Sequence, residues 1–501
     1  MTVPTVVTDR DEFSATAVDA PDGARVPIEV SVRVSDPFEA YLRARRATGG
    51  FFYETTGGQP GWGAFGVEPL EHVTLSSDSE LSDDASAPTL TELESLADEE
   101  TLIRGGCDVP YPCGLFGWLS YDVAREIESL PESADDDRHL PTLELGKYDL
   151  VASWDEPRAG DARLRITCCP RIEPDSNLDA VYDAALDRAK TFATEAIEGE
   201  PLDVEAPVAA DEGRFESDCG REVFADRVRA AKQYIRDGDT FQANLSQRLV
   251  APAAVHPVDA YAALRRVNPA PYSGLLEFPS ADLVSASPEL LLRVDGDRLE
   301  TEPIAGTRPR GDTETEDAAL EADLTTDEKE RAEHAMLVDL ERNDLGKICE
   351  YGTVEVSEYR RVDRYSEVMH LVSLVEGQRK SETTLADAIA AVFPGGTVTG
   401  APKPRTMEII DELEATRRGP YTGSMFAIGF DGRAVLNIII RTLVRQRDEY
   451  HLRVGAGIVH DSDPNSEYDE TLAKGRALIT AIDDALGDRA ALTMDTMEVE
   501  Q

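Results

Sequence analysis

The sequence predicts an α+β fold in which large antiparallel sheets are backed by helices. Three observations support this class. Strand-like segments occur in both halves of the 501-residue chain. Runs with apolar residues at helical spacing lie between them. No strand–helix unit carries a glycine fingerprint or a GxxxxGK[ST] spacing, so neither a Rossmann unit nor a P-loop is expected.

The chain divides by composition into four parts. The first predicted strands are RVPIEVSVRV (25–34), YDLVASWD (148–155) and ARLRITCCP (162–170). A stretch rich in acid, with Pro and Gly but no strand or helix period, follows them. We interpret 1–200 as an N-terminal subdomain, 201–218 as an acidic linker, 219–485 as the main domain and 486–501 as a C-terminal tail.

The second half mixes helices and strands. The helix predicted over 222–237 ends at Gly238, a residue type that commonly terminates helices. The segment 282–303 is predicted as a meander, because a DG pair typical of hairpin turns divides it. Further helices are predicted at 329–346 and 384–393, and further strands at 424–432, 434–446 and 450–459.

Acidic residues dominate the composition. The chain has 98 Asp and Glu against 50 Lys and Arg, a net charge of −48. The acid is spread along the whole chain, which is typical of halophile proteins, because concentrated salt screens the repulsion. Such a surface repels phosphate backbones and anionic lipid, so we expect no nucleic-acid partner and no membrane association.

The cysteines and the N-terminus predict a cytoplasmic location. Six cysteines in 501 residues are too few for a disulfide scaffold, so reduced thiols are expected. The N-terminal residues reach acidic positions before any apolar segment forms, unlike a signal peptide. No stretch approaches the ~20 apolar residues of a membrane span.

Paired glutamates are the first candidate site. Glu330 and Glu333 are three residues apart in a predicted helix, and Glu467 and Glu470 repeat the spacing. This places each pair on one helical face. Converging carboxylates favour Mg²⁺ over Zn²⁺. In so acidic a chain the same pattern also fits solvated helix faces.

Three further segments carry candidate chemistry. Pro303–Gly311 combines small residues, Thr307 and two arginines, which suits a carboxylate or another oxyanion, or forms an Arg-rich turn among acidic neighbours. Val454–Gly457 permits close approach of a ligand to the backbone, although a lone GxG is weak evidence. Gly395–Lys403 is a Gly/Thr-rich loop that superficially resembles a phosphate cradle but lacks Walker spacing, so we reject a Walker motif there.

Taken together, these segments resemble the chorismate-binding enzymes. This family includes component I of anthranilate synthase, component I of aminodeoxychorismate synthase, and the isochorismate and salicylate synthases. The resemblance covers nearly all of 220–480 in the family's order and spacing, and more weakly Gly114–Asp122. It implies an anthranilate-synthase-type fold and a Mg²⁺-dependent enzyme that acts on chorismate.

The resemblance also implies roles for individual residues. Glu289 matches the general acid that protonates the departing 4-hydroxyl group, a role that requires a raised pKa. His370 matches an active-site histidine near the ring. Glu333 and Glu470 match the Mg²⁺ ligands, with Glu330 beside them. The residues implied to hold chorismate are Gly306, Thr307, Tyr421, Arg441, Gly455, Ala456, Gly457 and Lys474; Thr307 is also counted with the catalytic residues.

Two positions separate the subfamilies. Relatives that add water carry a lysine base where this chain has Gln242, and because ammonia needs no base, the neutral amide favours amination. Aminodeoxychorismate synthases often carry a nucleophilic lysine at position 305. Ala305 favours anthranilate synthase, in tryptophan biosynthesis, with ammonia attacking C2 directly. Gly419–Thr422 and Leu436–Ile438 look more like aminodeoxychorismate synthase, which stays open as the alternative, as does a non-catalytic acidic protein.

The resemblance implies a partner and an effector. No cysteine lies in a nucleophile-elbow context such as GxCxG, so a separate glutamine amidotransferase subunit (component II) is expected to supply ammonia. Tryptophan-inhibited anthranilate synthases carry Leu-Leu-Glu-Ser where this chain has Phe52–Thr55. The candidate tryptophan feedback site retains Thr55, Pro271, Tyr272 and Ser273.

Overall fold

A computed structural model describes residues 3–56, 60–76, 79, 87–209, 212–365, 368–486 and 491–494. The helices in this part are α1 Arg10–Val18, α2 Pro37–Ala44, α3 Pro88–Asp98, α4 Ala124–Ile127, α5 Leu178–Glu198, α6 Gly220–Asp237, α7 Pro257–Val267, α8 Glu314–Thr326, α9 Glu328–Ile348, α10 Leu385–Val392, α11 Lys403–Leu413 and α12 Pro464–Leu486, with short 3-10 turns at Tyr121–Val123 and Gly396–Val398.

The strands in the described residues are β1 Thr5–Val6, β2 Ile28–Val34, β3 Phe51–Glu54, β4 Gly61–Gly66, β5 Glu71–Leu75, β6 Gly114–Leu119, β7 Leu143–Tyr148, β8 Leu150–Glu156, β9 Ala162–Cys168, β10 Glu212–Ser217, β11 Gln242–Pro252, β12 Tyr272–Glu277, β13 Asp282–Ser287, β14 Leu290–Asp295, β15 Arg298–Glu302, β16 Ile304–Pro309, β17 Glu355–Arg364, β18 Val368–Gln378, β19 Gly400–Ala401, β20 Ser424–Gly429, β21 Ala434–Asn437, β22 Thr442–Gln446, β23 Glu449–Ile458 and β24 Ala491–Met494.

Two large, mainly antiparallel sheets organise these strands. The first has the order β1-β2-β9-β8-β4-β3-β12-β13-β22-β23-β11-β10-β24, with β19 beside β11; the second has the order β16-β18-β15-β14-β21-β20-β6-β7-β5, with β17 beside β18. Helix α5 packs on β2, α12 on β23, and α9 on β16 and β18. The predicted α+β class, with large antiparallel sheets backed by helices, is confirmed.

Local sequence signals place several of these elements. Helix α6 ends at Gly238, whose φ of 86° lies in the left-handed region that glycine adopts without steric cost. The predicted DG turn joins β14 to β15, with Asp295 opposite Arg298 and Gly296 at φ 64°. A side chain with a Cβ atom is strained at such angles.

Strands from the two halves of the chain alternate in space. In the first sheet, Phe52 of β3 lies opposite Leu275 of β12. In the second, Phe116 of β6 lies opposite Ala427 of β20. Each sheet, and the apolar core against it, is therefore built from residues on both sides of the stretch 201–218.

The stretches expected to be linker and tail contribute strands. β10, within 201–218, pairs antiparallel with β11, and β24 pairs parallel with β10. Residues 210–211, 487–490 and 495–501 lie outside the described residues. The chain from 219 onward therefore shares its sheet with the segment that precedes it.

All six cysteines are free thiols, and four of them are buried. Among the described residues, no helix is both long enough and apolar enough to cross a membrane.

Candidate active site

The segments with candidate chemistry converge around helix α9. This helix packs against β16 and β18 of the second sheet, and it is hydrogen-bonded to β11 of the first through Gln242. Helix α12 packs against β23, the neighbour of β11. Residues far apart in sequence therefore meet at the region between the two sheets.

Thr307, His370 and Arg441 form one side of the site. Thr307 and His370 lie opposite each other in β16 and β18, and Thr307 Oγ1 is 2.9 Å from His370 Nδ1. Arg441 Nη2 is 3.4 Å from His370 Nε2. Burial, followed by the charge of Arg441, lowers the pKa of His370 to about 4. His370 is therefore a neutral imidazole at neutral pH.

Glu289 lies where the chain crosses from β13 in the first sheet to β14 in the second. Its main-chain oxygen accepts a hydrogen bond from Ile438 N at 3.0 Å, which fixes the point at which the side chain emerges. The side chain is almost fully buried, and burial raises its pKa to about 8. A carboxyl group with this pKa is protonated at neutral pH and can donate a proton.

Gln242 connects the first sheet to helix α9. Its Nε2 donates to Glu333 Oε1 at 2.9 Å, and its buried Oε1 has no hydrogen-bond partner among the described residues. A Cβ atom at Gly457 would lie 2.5 Å from Gln242 Nε2. Glycine at 457 therefore leaves the space in which this amide sits.

Helices α9 and α12 each contribute two glutamates to this region: Glu330 and Glu333 from α9, and Glu467 and Glu470 from α12. Burial raises the pKa of Glu333, and the charges of Glu330 and Glu470 raise it further. The pKa of Glu467 is raised by burial and then by Glu470. This mutual repulsion is what a bound cation relieves. No three His, Cys, Asp or Glu side chains of the described residues lie close enough together to hold a metal.

Basic side chains partly balance these carboxylates. Arg308 Nη1 donates to Glu330 Oε1 at 2.9 Å, and Lys474 Nζ lies 2.9 Å from Glu470 Oε1. Lys474 Nζ also donates to the main-chain oxygen of Gly455 at 3.0 Å. Lys474 therefore links the carboxylate of Glu470 to the backbone of β23.

The glycines of β23 allow side chains from neighbouring segments to approach the backbone of this strand closely. A Cβ atom at Gly455 would lie 2.7 Å from both Tyr421 Oη and Asn244 Oδ1. Ala456 points into the apolar core, so only its backbone faces the site. Gly306, at φ 88°, places its Cα beside Glu330, whose Oε2 would be 3.1 Å from a Cβ atom there.

These contacts join the predicted residues into one site. The residues linked by them are Gln242, Glu289, Gly306, Thr307, Glu330, Glu333, His370, Tyr421, Arg441, Gly455, Gly457, Glu470 and Lys474. Ala456 contributes only its backbone.

The residues predicted to form a tryptophan-binding site lie together, in a cavity separate from the site around helix α9. Thr55, Pro271, Tyr272 and Ser273 all line a cavity of about 200 Å³ between strands of both halves. Tyr272 Oη donates to Glu302 Oε2 at 2.9 Å. The other lining residues include Trp62, Met425 and Arg293. Apolar surface and opposite charges in one cavity suit an amino acid with an apolar side chain.

Sequence reasoning left some residues of the site unassigned. The spacing pairs Glu467 with Glu470 but assigns it no role of its own. Thr397 enters only as part of the loop Gly395–Lys403. Glu341 and Asn244 gave no signal, because long-range contacts bring them to the site. Lys403, at the end of the loop Gly395–Lys403, is buried with Nζ 2.6 Å from Asp344 Oδ2.

Known proteins match this chain over most of its length. The model of the chorismate binding enzyme family matches residues 49–480. Anthranilate synthase component 1 1 of Haloarcula marismortui is 64% identical over 493 residues, covering 98% of this chain and 99% of that protein. Aminodeoxychorismate synthase component 1 of Bacillus subtilis is 43% identical over 371 residues, covering 74% and 77%. The crystal structure of anthranilate synthase component I from Streptococcus pneumoniae has a TM-score of 0.71 at 30% identity, covering 83% and 92%.

Proposed function

The chain belongs to the chorismate-binding enzyme family, and from this premise we propose that it converts chorismate and ammonia to anthranilate, pyruvate and water, as component I of an anthranilate synthase. The observation that carries the proposal is the placement of a protonated acid, Glu289, and a neutral amide, Gln242, in one site. The acid serves the leaving hydroxyl group, and the amide provides no base for water.

Arg441, His370 and Thr307 bind and orient the substrate. The guanidinium group of Arg441 pairs with a carboxylate of chorismate, which charge-assisted hydrogen bonds favour. Thr307 and the backbone at Gly306 and Gly455 hold the rest of the anion. These groups are already in contact through His370, so little rearrangement is needed on binding.

The four carboxylates fit Mg²⁺ as a donor set, because Mg²⁺ prefers oxygen ligands and needs few protein groups. Glu333 and Glu470 would hold it, with Glu330 beside them. The ion, when bound, supplies positive charge that allows a substrate carboxylate to lie against protein carboxylates.

Glu289 gives its proton to the 4-hydroxyl group, which leaves as water while ammonia forms a bond to C2. The ammonium nitrogen then loses a proton, which in the net balance replaces the one given up by Glu289. The C2–H bond next breaks and its electron pair completes the aromatic ring, while the bond from the ring to the enolpyruvyl oxygen breaks. The C2 proton passes to the methylene carbon of the departing enolpyruvate, which becomes pyruvate. His370 is a neutral imidazole, and we assign it the transfer of this proton in the second step.

Residue 305 decides between the two aminating reactions. Ala305 provides no amine, so the ring forms no covalent adduct with the protein, and C2 is open to ammonia. The high-identity relative is an anthranilate synthase, whereas the aminodeoxychorismate synthase is less similar. Amination followed by pyruvate release is therefore the favoured sequence.

Ammonia comes from a separate glutamine amidotransferase subunit. The name "component 1" of the relatives fits a two-component enzyme. Free ammonium should replace the partner at higher concentration.

The cavity lined by Thr55, Pro271, Tyr272 and Ser273 is a proposed tryptophan site. Thr55 and Ser273 offer hydroxyl groups, and Trp62 and Met425 offer apolar surface. Tryptophan should inhibit the wild-type protein, and Ser273→Leu should reduce inhibition without changing the uninhibited rate. Equal rates with and without tryptophan in the wild type would contradict this assignment.

One experiment tests the reaction. The chain is incubated with chorismate, Mg²⁺ and ammonium in concentrated salt, and products are identified by mass and fluorescence while pyruvate is assayed. Pyruvate that forms in step with chorismate loss supports anthranilate synthase. Chorismate loss without pyruvate indicates aminodeoxychorismate synthase. No chorismate loss contradicts the proposed function.

A further inference from the structure

A second carboxyl group is buried behind Glu289. Glu341 of helix α9 is 5% exposed. A Cβ atom on Gly396 would lie 3.2 Å from Glu341 Oε1, and the Gly396 N–H interacts with the Glu341 carboxyl group. Glu341 therefore lies against the 3-10 turn Gly396–Val398.

Glu289 lies against the next residue of the same turn. The Thr397 hydroxyl group faces the Glu289 carboxyl group but forms no hydrogen bond of regular geometry. The Thr301 hydroxyl group likewise faces the Glu341 carboxyl group without forming a hydrogen bond of regular geometry. Gly396 and Thr397 are consecutive, so the two carboxyl groups lie against one turn, close enough for the charge of Glu341 to act on Glu289.

The charged groups around the pair are unequal. Lys403 and Asp344 face Glu341, and Arg441 faces Glu289. Burial raises the pKa of Glu341 to about 7, and Lys403 limits the rise. Burial and Glu341 together raise the pKa of Glu289 to about 8. Two buried carboxyl groups this close resist simultaneous ionisation.

We propose that Glu341 is a positioning residue whose negative charge keeps the proton on Glu289 between turnovers. The inference rests on the proposed function, since it assigns Glu341 a part in the work of the general acid. In this assignment Glu341 acts through Glu289 and not through contact with the substrate. Lys403 stabilises the negative charge on Glu341. The turn Gly396–Val398 contacts both carboxyl groups and so keeps the separation between them fixed.

The test is the pH profile of kcat/KM for ammonia-dependent chorismate consumption. Glu341→Gln should move the alkaline limb by about one pH unit toward lower pH, while the rate on the acidic side is retained. Glu341→Asp keeps the charge and should largely retain the wild-type limb. Glu144→Gln is the matched control, because Glu144 is fully buried with a raised pKa but contacts Trp118 and Ser280.

A second measurement tests the inference even if the Glu341→Gln variant does not fold. Coupling between two titrating groups is reciprocal, so Glu289→Gln should let Glu341 ionise at lower pH than in the wild type. Infrared difference spectra of the carboxyl C=O stretch follow this ionisation without activity. An unmoved alkaline limb in Glu341→Gln, or an unmoved ionisation in Glu289→Gln, overturns the inference. A wild type that consumes no chorismate contradicts the proposed function instead.

Discussion

Two regions bury a glutamate almost completely and shift its pKa in opposite directions. Glu289 in the candidate active site is 4% exposed, and Glu414, just after helix α11, is 3% exposed. The pKa of Glu289 is raised to about 8. The pKa of Glu414 is lowered, because Arg418 and Arg453 together outweigh the opposing effect of burial.

The difference lies in the partners. Glu414 accepts hydrogen bonds from Ser246 N at 2.8 Å, from Arg418 Nη2 at 2.8 Å and from Arg453 Nη1 at 3.1 Å. The groups that favour the charged form of Glu289 are the Thr397 hydroxyl group, the main-chain N–H of Ile304 and the charge of Arg441, and together they do not outweigh burial. Burial sets the size of the electrostatic effect, and the partners set its sign. One glutamate is held as an acid and the other as a structural anion.

The largest effect should follow removal of the acid. Glu289→Gln keeps the side-chain shape but has no proton to give, so kcat should fall about 10²–10⁴-fold. Its melting temperature should not fall below the wild-type value, because Glu289 is buried without a charge at neutral pH and glutamine has no charge to bury. Steady-state kinetics and thermal unfolding measure both. Wild-type turnover in this variant would remove Glu289 from the mechanism.

The same substitution at the other glutamate should act on stability. Glu414→Gln leaves Arg418 and Arg453 buried without their counter-charge, which should lower the free energy of unfolding by about 3–5 kcal/mol. Denaturant unfolding measures this, with Glu289→Gln as the matched control. If both variants unfold alike, the contrast between acid and structural anion is wrong.

The carboxylates of α9 and α12 offer an intermediate case. Glu333→Gln removes a proposed Mg²⁺ ligand, and since outer partners of a metal alone are worth about 10–100-fold, activity should fall by at least about 10²-fold. Stability without Mg²⁺ should not decrease, because repulsion with Glu330 and Glu470 is relieved. The Mg²⁺ dependence of turnover and a melting curve test this. Near-normal turnover at saturating Mg²⁺ would refute the ligand assignment.

The smallest effect is the pH dependence of stability. The raised pKa of Glu289 means that its contribution is fully present below the unfolded value, near 4.3, and is lost as the pH rises to about 8. The lowered pKa of Glu414 means that its contribution is present above the unfolded value and is lost as the pH falls through the folded pKa. The unfolding free energy is measured against pH for the wild type, Glu289→Gln and Glu414→Gln. Each variant should lose the slope that its own glutamate contributes. Identical slopes in all three proteins would contradict the opposite signs.

Local signals in the sequence were sufficient for several elements. Gly238 ends α6 and the Asp295–Gly296 pair makes the β14–β15 hairpin, because these features depend on a few neighbouring residues. The α+β class could be predicted from the helical and strand-like spacing of apolar residues. The interleaving of strands from both halves did not follow, because pairings such as β3 with β12 depend on the packing of the whole chain.

The sequence by itself determined which functional groups are available, because they stand in short local motifs. These groups are the carboxyl group of Glu289, the amide of Gln242, the small side chain of Ala305 and the paired glutamates. Only the tertiary structure decided how these groups behave. It buries Glu289 beside Glu341 and pairs Glu414 with two arginines, although all three are simply glutamates in the sequence. The physical reason is that a pKa depends on desolvation and on charges a few ångströms away, and both are set by contacts between residues distant along the chain.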